Sequence, residues 1–122
     1  ECLAGKINQV FMNIINNAVH ALSDHIDTVK DPKIEIRTKS LGDHVVVEIE
    51  DNGPGMPDHV KQRIFEPFFT TKAVGKGTGL GLSIVYSIIE NHKGTLEVNS
   101  EVGQGTTFII TLPIYQSSSK YE

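Results

Sequence analysis

Apolar residues recur every three or four positions over two long stretches of the chain, which predicts two amphipathic helices. The first runs over residues 7–26, INQVFMNIINNAVHALSDHI, and the second over 80–93, LGLSIVYSIIENHK. Gly94 follows the second stretch and suits a helix C-terminal cap. The predicted apolar faces consist of Ile7, Val10, Phe11, Ile14, Ile15, Ala18, Val19 and Leu22 on the first helix and Leu82, Val85, Ile88 and Ile89 on the second.

Four shorter stretches alternate apolar and polar residues, as β-strands do. They are KIEIRTKSL (33–41), HVVVEIED (44–51), TLEVNS (95–100) and TTFIITLP (106–113), with turns at 41–43 and 103–105. A short helix is predicted over 57–64, whereas residues 65–79 show no period and form a long loop, which is usually functional or mobile. This order predicts an α+β sandwich in which helices cover one face of an antiparallel-rich sheet.

Length and composition indicate one ordinary globular domain over residues 1–122, with a core over about 7–113 and a polar tail over 114–122. The net charge of −4 disfavours binding to nucleic acid, and a single cysteine excludes a disulfide framework within the chain. No apolar run approaches the ~20 residues of a membrane helix. We expect a cytoplasmic location, and the abrupt start suggests a piece of a longer protein.

A line of polar residues follows one side of the first helix. Asn13, Asn17, His20 and Asp24 are spaced by four, three and four positions. The line is either a solvated face or a ligand site. Lys and Glu, the usual residues of a solvated helix face, do not occur in this helix after Lys6. Asparagine oxygens can bind Mg²⁺, and the other amide atoms can meet phosphate.

The stretch DNGPGMP (51–57) follows the second strand. Taken alone, it is either a tight surface turn or part of a site. An aspartate at a strand end can accept hydrogen bonds from an amino group. The glycines that follow allow a flat ligand to approach the backbone.

Two further stretches lie in and after the long loop. FEPFFTTK (65–72) places three phenylalanines beside Thr70, Thr71 and Lys72, either as core or as a flap that offers a cation. In GKGTGLGLS (75–83), alternating glycines expose backbone N–H groups just before a helix N-terminus, which favours a phosphate cradle over a merely flexible loop. The stretch matches neither the P-loop nor the G-x-G-x-x-G pattern.

The order of these four stretches resembles the ATP-binding domain of sensor histidine kinases, in the superfamily of gyrase, chaperone, kinase and mismatch-repair ATPases. QVFMNIINNAVHAL is similar to the N box, DNGPGMP to the G1 box, FEPFF to the F box and GTGLGLS to the G2 box. GTTF and the closing LP are similar to the last strand of that family. The resemblance runs from about Ile7 to Pro113, nearly the whole chain.

The resemblance implies a Bergerat-type two-layer sandwich, with a mixed, mainly antiparallel sheet and a mobile ATP lid over 65–79. Asp51 would accept the adenine amino group, directly and through water. Asn17 would hold Mg²⁺ with Asn13 assisting, and both are the implied catalytic residues. The implied ATP-site residues are Asn13, Asn17, His20, Asp51, Gly53, Gly55, Met56, Phe68, Thr70, Lys72, Lys76, Gly77, Thr78, Gly79, Leu80, Gly81, Leu82 and Thr106.

The implied activity is transfer of the γ-phosphoryl group of Mg-ATP to a histidine on a separate dimerisation domain, which would pass it to a response regulator. The ATPase branches carry a glutamate where this chain has Asn13, and an amide is no general base. A related ATPase, a protein-serine kinase and a degenerate nucleotide-sensing module remain alternatives. None of the five histidines resembles the phosphoacceptor, so the catalytic half alone is expected, as a monomer.

Overall fold

Three helices and four strands make up the part of the chain that the structure, a computed structural model, describes: residues 4–67 and 81–114. In chain order they are α1 (Ala4–Asp24), β1 (Ile34–Leu41), β2 (His44–Asp51), α2 (Asp58–Lys61), α3 (Gly81–Asn91), β3 (Thr95–Glu101) and β4 (Gly105–Pro113). Every predicted helix and strand is present within these ranges. Most bounds differ from the prediction by one to three residues, and α2 is a single turn followed by turn residues.

The four strands form one sheet in the order β1-β2-β4-β3, and each neighbouring pair is antiparallel. The central pair joins β2 to β4, so that residues 44–51 run beside residues 106–113. In this register Asp51, the last residue of β2, lies opposite Thr106 at the start of β4. The α+β prediction is confirmed, and the sheet described here is wholly antiparallel.

The hydrophobic core lies between the sheet and the helix layer. Alternate residues of β2 and β4 point to the helices, since the side-chain period of a strand is two. Helices α1 and α3 pack against each other and cover this face. The buried core consists of Val10, Ile14, Val47, Ile49, Ile64, Val85, Ile88, Ile89, Phe108, Ile110 and Leu112.

Five residues assigned to the apolar helix faces are less buried than predicted: Val19 is exposed, and Ile7, Phe11, Ile15 and Leu82 are partly buried. Val19 is 42% exposed, whereas its neighbour Ala18 is 3% exposed. Successive helix residues are separated by about 100°, so Val19 falls at the rim of a face that contains Ala18. Leu82 lies in the first turn of α3 and is only partly buried against the core.

Helix α3 ends differently from the prediction. The residue in the left-handed conformation is Lys93, with φ of 61°, rather than Gly94. The Gly94 N–H donates to the Ile89 carbonyl at 2.9 Å, which closes the helix end. Gly94 is needed for another reason, because a Cβ there would overlap the backbone carbonyl oxygen of Thr111 on β4.

The face of the sheet turned away from the helices is polar where β1 meets β2. Arg37 bonds carboxylates of Glu50, Glu48 and Glu35 at 2.7, 3.0 and 3.1 Å. On the helix side, Ile36 remains 53% exposed because β1 is the edge strand and has a neighbour on one side only. The helices therefore cover one face of the sheet, as predicted.

No helix within the described ranges combines the length and apolarity that a membrane span requires.

Candidate nucleotide site

Three buried polar side chains lie in a row across one end of the sheet. Asp51 on β2, Thr106 on β4 and Ser100 on β3 are 5%, 8% and 7% exposed. They are cross-strand neighbours, since Asp51 pairs with Thr106 and Thr106 pairs with Ser100. Facing residues of an antiparallel pair share a face of the sheet, and this is the face on which Ile49 and Phe108 are buried. The helix-facing side of the sheet is therefore apolar in the core and polar at this end.

The Asp51 carboxylate is held by backbone donors. The Gly53 N–H donates to Oδ1 at 2.9 Å, and the Thr106 N–H donates to the same carboxylate. Burial nevertheless raises the pKa of Asp51, because two neutral donors do not replace the water that a buried charge loses. A Cβ at position 53 would come 2.9 Å from Oδ1, so Gly53 leaves room for this carboxylate position. Asp51 is thus a fixed hydrogen-bond acceptor whose charged form gains from a further donor.

Ser100 connects this polar row to the loop after β2. Its Oγ accepts from the Met56 N–H at 2.9 Å, lies 3.0 Å from the Gly105 carbonyl oxygen, and lies 2.9 Å from Thr106 Oγ1. Ser100 is not among the residues that the sequence predicted for the site. The sequence nevertheless contains an indication of its role. Ser100 follows Leu96 and Val98 on the inward side of β3 and is the polar residue of that series.

The loop over residues 52–57 packs directly on the turn between β3 and β4. The Gly103 N–H donates to the Pro54 carbonyl at 2.8 Å. A Cβ at Gly55 would overlap the Glu101 carbonyl oxygen, and one at Gly105 would overlap the Asp51 carbonyl oxygen. The two glycines therefore permit backbone-to-backbone packing of the protein itself. The role of Gly55 in making room for a base stays a prediction.

Asn52 fastens the same loop to the chain before β1. Its Oδ1 accepts from the Lys33 N–H at 2.8 Å, and its Nδ2 donates to the carbonyls of Asp31 at 2.8 Å and Lys30 at 3.3 Å. Asn52 is therefore a structural clamp beside Asp51, a role that its place in the DNGPGMP stretch did not reveal.

We expect Asn52→Ala to lower the free energy of unfolding by about 1–3 kcal/mol, since three backbone groups lose a side-chain partner. Urea unfolding followed by circular dichroism would measure the change. Asn16→Ala on the exposed side of α1 is the control and should not lower stability, because Ala is a better helix former than Asn. Equal effects of the two substitutions would contradict the clamp.

Helices α1 and α3 meet at a second polar contact. The Asn13 Nδ2 donates to the carbonyl of Gly81, the first residue of α3, at 3.3 Å. This bond turns the Asn13 Oδ1 away from Gly81 and leaves it available as a ligand. A Cβ at Gly81 would meet nothing within 4 Å. Packing among the residues that the structure describes therefore does not require glycine at this helix N-terminus. Backbone N–H groups at such an end attract anions.

The two polar centres lie along the same helix. A Cβ at Gly53 would lie 3.6 Å from Leu22 and 3.7 Å from Ala21, so the Asp51 loop adjoins the C-terminal part of α1. Asn13 lies eight residues earlier than Ala21, about 12 Å along the helix axis. Asn17 lies between them and is half-buried, whereas His20 is exposed. The arrangement outlines an elongated candidate site, with the acceptor Asp51 at one end and the N-terminus of α3 beside Asn13 at the other.

The remaining predicted site residues divide into two groups. Met56 and Leu82 are partly buried and pack against the core. Phe65 is also packed there, with its ring stacked on Tyr86 at 5.4 Å between centroids. Of the predicted lid over 65–79, the structure describes positions 65–67. The site candidates outside the described residues are Phe68, Thr70, Lys72, Lys76, Gly77, Thr78, Gly79 and Leu80.

The donor set near Asn13 and Asn17 fits Mg²⁺ better than a transition metal. Over residues 4–67 and 81–114, no group of three or more His, Cys, Asp or Glu side chains is arranged to hold a metal. Mg²⁺ usually needs only one or two protein oxygens, because water and substrate phosphates supply the other ligands. The amide oxygens of Asn13 and Asn17 can serve this purpose at the anion-attracting end.

Comparisons with known proteins agree on one family. The family model for histidine kinase-, DNA gyrase B- and HSP90-like ATPases matches residues 3–116. The sensor kinase CckA of Brucella abortus is 47% identical, over 89% of this chain and 12% of that kinase. Sporulation kinase E of Bacillus subtilis is 42% identical, over 98% of this chain and 15% of that kinase. The chain thus spans a small part of these relatives.

Among solved structures, the catalytic domain of histidine kinase ThkA superposes with a TM-score of 0.75 at 38% identity. The match covers 93% of this chain and 69% of that one. The family match over nearly the whole chain, the relatives and the shared fold agree. The chain belongs to the histidine kinase-, DNA gyrase B- and HSP90-like ATPase family, as an ATP-binding catalytic domain of the sensor histidine kinase type.

Proposed function

We propose that the domain binds Mg-ATP in the elongated site and donates the γ-phosphoryl group to a histidine on a separate dimerisation domain of its parent protein. Asp51 would accept the adenine amino group, and the N-terminus of α3 would bind the phosphates. Mg²⁺ would neutralise phosphate charge, and Asn17 and Asn13 are the residues that would hold it. The response regulator would receive the phosphoryl group from the dimerisation domain, without entering this site.

The observation that carries the proposal is the environment of Asp51. The carboxylate is 5% exposed, is held by the backbone of Gly53 and Thr106, and has a raised pKa. A buried acid whose hydrogen-bond donors are all neutral lowers the stability of the fold. Such groups concentrate at functional sites. An adenine amino group would supply the further donor that the ionised carboxylate lacks.

Asn13 supports phosphoryl transfer over hydrolysis. Hydrolysis needs a base that activates water, and an amide does not accept a proton at neutral pH. The Asn13 amide is instead engaged with the Gly81 carbonyl, between the two helices. Phosphoryl transfer to a second domain depends mainly on position and charge neutralisation, which need no base on α1.

Calorimetric titration of the 122-residue chain with ATP, with and without Mg²⁺, is the experiment that tests nucleotide binding. Binding by the wild type that Mg²⁺ strengthens is expected. Transfer is tested by adding a separately prepared dimerisation domain from a related kinase and following radiolabel from γ-labelled ATP into acid-labile phosphohistidine. Label released only as free phosphate, with none on the histidine, would favour an ATPase.

We expect Asn17→Ala to remove the Mg²⁺ dependence of ATP binding, because the substitution deletes the proposed protein oxygen for the ion. Paired titrations of wild type and variant, each with Mg²⁺ and with EDTA, would measure the effect. Asn16→Ala, one residue away and exposed, is the matched control. A variant that keeps full stimulation by Mg²⁺ would move the metal site away from Asn17.

The surroundings of the domain are part of the same proposal. The relatives are far longer than this chain, so dimerisation and signal-receiving domains would belong to the parent protein. Response regulators and their kinases meet in the cytoplasm, and this domain would lie on the cytoplasmic side whether or not the parent is anchored in a membrane. We expect the isolated domain to be monomeric, because the proposed dimerisation segment is separate from it.

A further inference from the structure

The hydrogen-bond capacity of Ser100 is fully used by its three neighbours. A serine hydroxyl has one proton and two lone pairs. The Met56 N–H can only donate to it, at 2.9 Å, and the Gly105 carbonyl can only accept from it, at 3.0 Å. The contact to Thr106 Oγ1 at 2.9 Å can therefore be satisfied only if Thr106 donates. This assignment leaves none of the three contacts without a proton.

The consequence falls on Thr106. Its single hydroxyl proton points to Ser100, so only lone pairs remain for a ligand. Thr106 lies opposite Asp51 in the β2–β4 register, and the two side chains share the helix-facing side of the sheet. Both are almost fully buried, at 8% and 5% exposed. The polar end of the site therefore presents acceptors and no hydroxyl proton from Thr106.

We propose that Ser100 is a positioning residue that sets the base selectivity of this site, by holding the Thr106 hydroxyl in the acceptor orientation. An all-acceptor end favours a base edge that carries an amino group, as adenine does. It disfavours an edge that carries an oxo group in the same place, as in hypoxanthine. The inference rests on the proposed function, since it assumes that a nucleotide base lies against Asp51.

The rotation of one hydroxyl is what distinguishes this role from simple packing. Without Ser100, the Thr106 proton is free to turn toward the ligand and donate to an oxo oxygen, directly or through water. A site that makes a hydrogen bond to one base edge leaves a buried polar group unpaired when the other edge binds, which is a strong source of discrimination. Removing the Ser100 hydroxyl should weaken this discrimination. A general loosening of the loop would instead weaken the binding of both nucleotides alike.

The test compares ADP with IDP, which differ at the base in the amino-to-oxo exchange at position 6 and in the protonation of the adjacent ring nitrogen. Calorimetric titrations would give both dissociation constants for the 122-residue wild type, Ser100→Ala and Ser100→Cys. The cysteine avoids the cavity that alanine leaves but is a poor acceptor for the Thr106 proton, so it reports on selectivity if the alanine variant folds poorly. We expect the preference for ADP over IDP to fall about tenfold in both variants, which corresponds to one hydrogen bond.

A double-mutant cycle separates orientation from structure. In a Thr106→Val background there is no hydroxyl to orient, so adding Ser100→Ala should leave the ADP-to-IDP ratio unchanged. Equal weakening of both nucleotides by Ser100→Ala and Ser100→Cys would overturn the role in selectivity. A ratio that still changes in the Thr106→Val background would also overturn it. Failure of the wild type to bind either nucleotide would instead reject the proposed function on which the inference rests.

Discussion

Replacing Asp51 with Asn is expected to abolish measurable ATP binding while leaving the ligand-free domain at least as stable as the wild type. A hydrogen bond to a charged acceptor contributes about 1.5–3 kcal/mol, and an Asn amide can present N–H to the adenine amino group. The combined loss should raise the dissociation constant by at least about a hundredfold. The Asn oxygen can still accept the Gly53 N–H that holds the carboxylate at 2.9 Å.

The expected gain in stability follows from the direction of the pKa shift. Burial raises the pKa of Asp51 above its ordinary value of 3.8, so the folded state binds this proton more tightly than the unfolded state. The favourable contribution of the protonated acid is complete below pH 3.8 and is lost as the pH rises through the folded-state pKa. At pH 7 the buried acid therefore weakens the empty fold, and a neutral Asn removes this cost.

Thermal unfolding of wild type and Asp51→Asn, without nucleotide and over a range of pH, would measure this difference. We expect the melting temperature of the variant to equal or exceed that of wild type at pH 7, and the advantage to shrink as the pH approaches 4. Asp27→Asn, in an exposed turn after α1, is the matched control and should show no comparable trend. Together with lost ATP binding, the result would mark Asp51 as a residue kept for function at the expense of stability.

Two outcomes would contradict this view of Asp51. Unchanged ATP affinity in the variant would remove the assignment of Asp51 to the base. A variant that melts far below wild type at pH 7 would show that the carboxylate, with its bonds from Gly53 and Thr106, is a structural element of the sheet end.

Replacing Gly55 with Ala is expected to cost more than about 3 kcal/mol of folding free energy, a large part of the stability of a small domain. Gly55 has φ of 73°, and a Cβ there would overlap the Glu101 carbonyl oxygen and contact its carbon at 2.7 Å. Backbone atoms of a strand end cannot move aside as a flexible side chain can. The loop over 52–57 would have to leave the β3–β4 turn and break the Met56 bond to Ser100.

Gly42 provides a matched control for the backbone conformation alone. Its φ of 66° is close to that of Gly55, but a Cβ there would meet nothing within 4 Å. Gly42→Ala should therefore cost only the left-handed conformation, about 1–2 kcal/mol. Urea unfolding of both variants would separate the cost of the left-handed conformation from the cost of the overlap at position 55. Equal losses would show that close packing at position 55 contributes little.

The sequence by itself determined the elements, the core and the family. Periods of 3.6 and 2 are set by backbone geometry, so α1, α3 and the four strands could be predicted from the spacing of apolar residues. Asp51 was predicted as a site residue because it combines a strand end with the glycines that follow, and its role in binding stays a prediction. The four stretches also predicted the family, which the matched family model confirms. The roles of the predicted site residues, including those of the predicted lid over 65–79, stay predictions.

Only the tertiary structure decided which residues act together. Met56 and Ser100 are 44 positions apart, and Asn13 and Gly81 are 68 apart, so no local pattern pairs them. Close backbone packing at Gly55 depends on where another strand ends, and the exposure of Val19 depends on how α1 is turned against the sheet. Local propensity fixes what each segment becomes. The register of β2, β4 and β3 places Asp51, Thr106 and Ser100 side by side, because strand pairing joins residues that are remote along the chain.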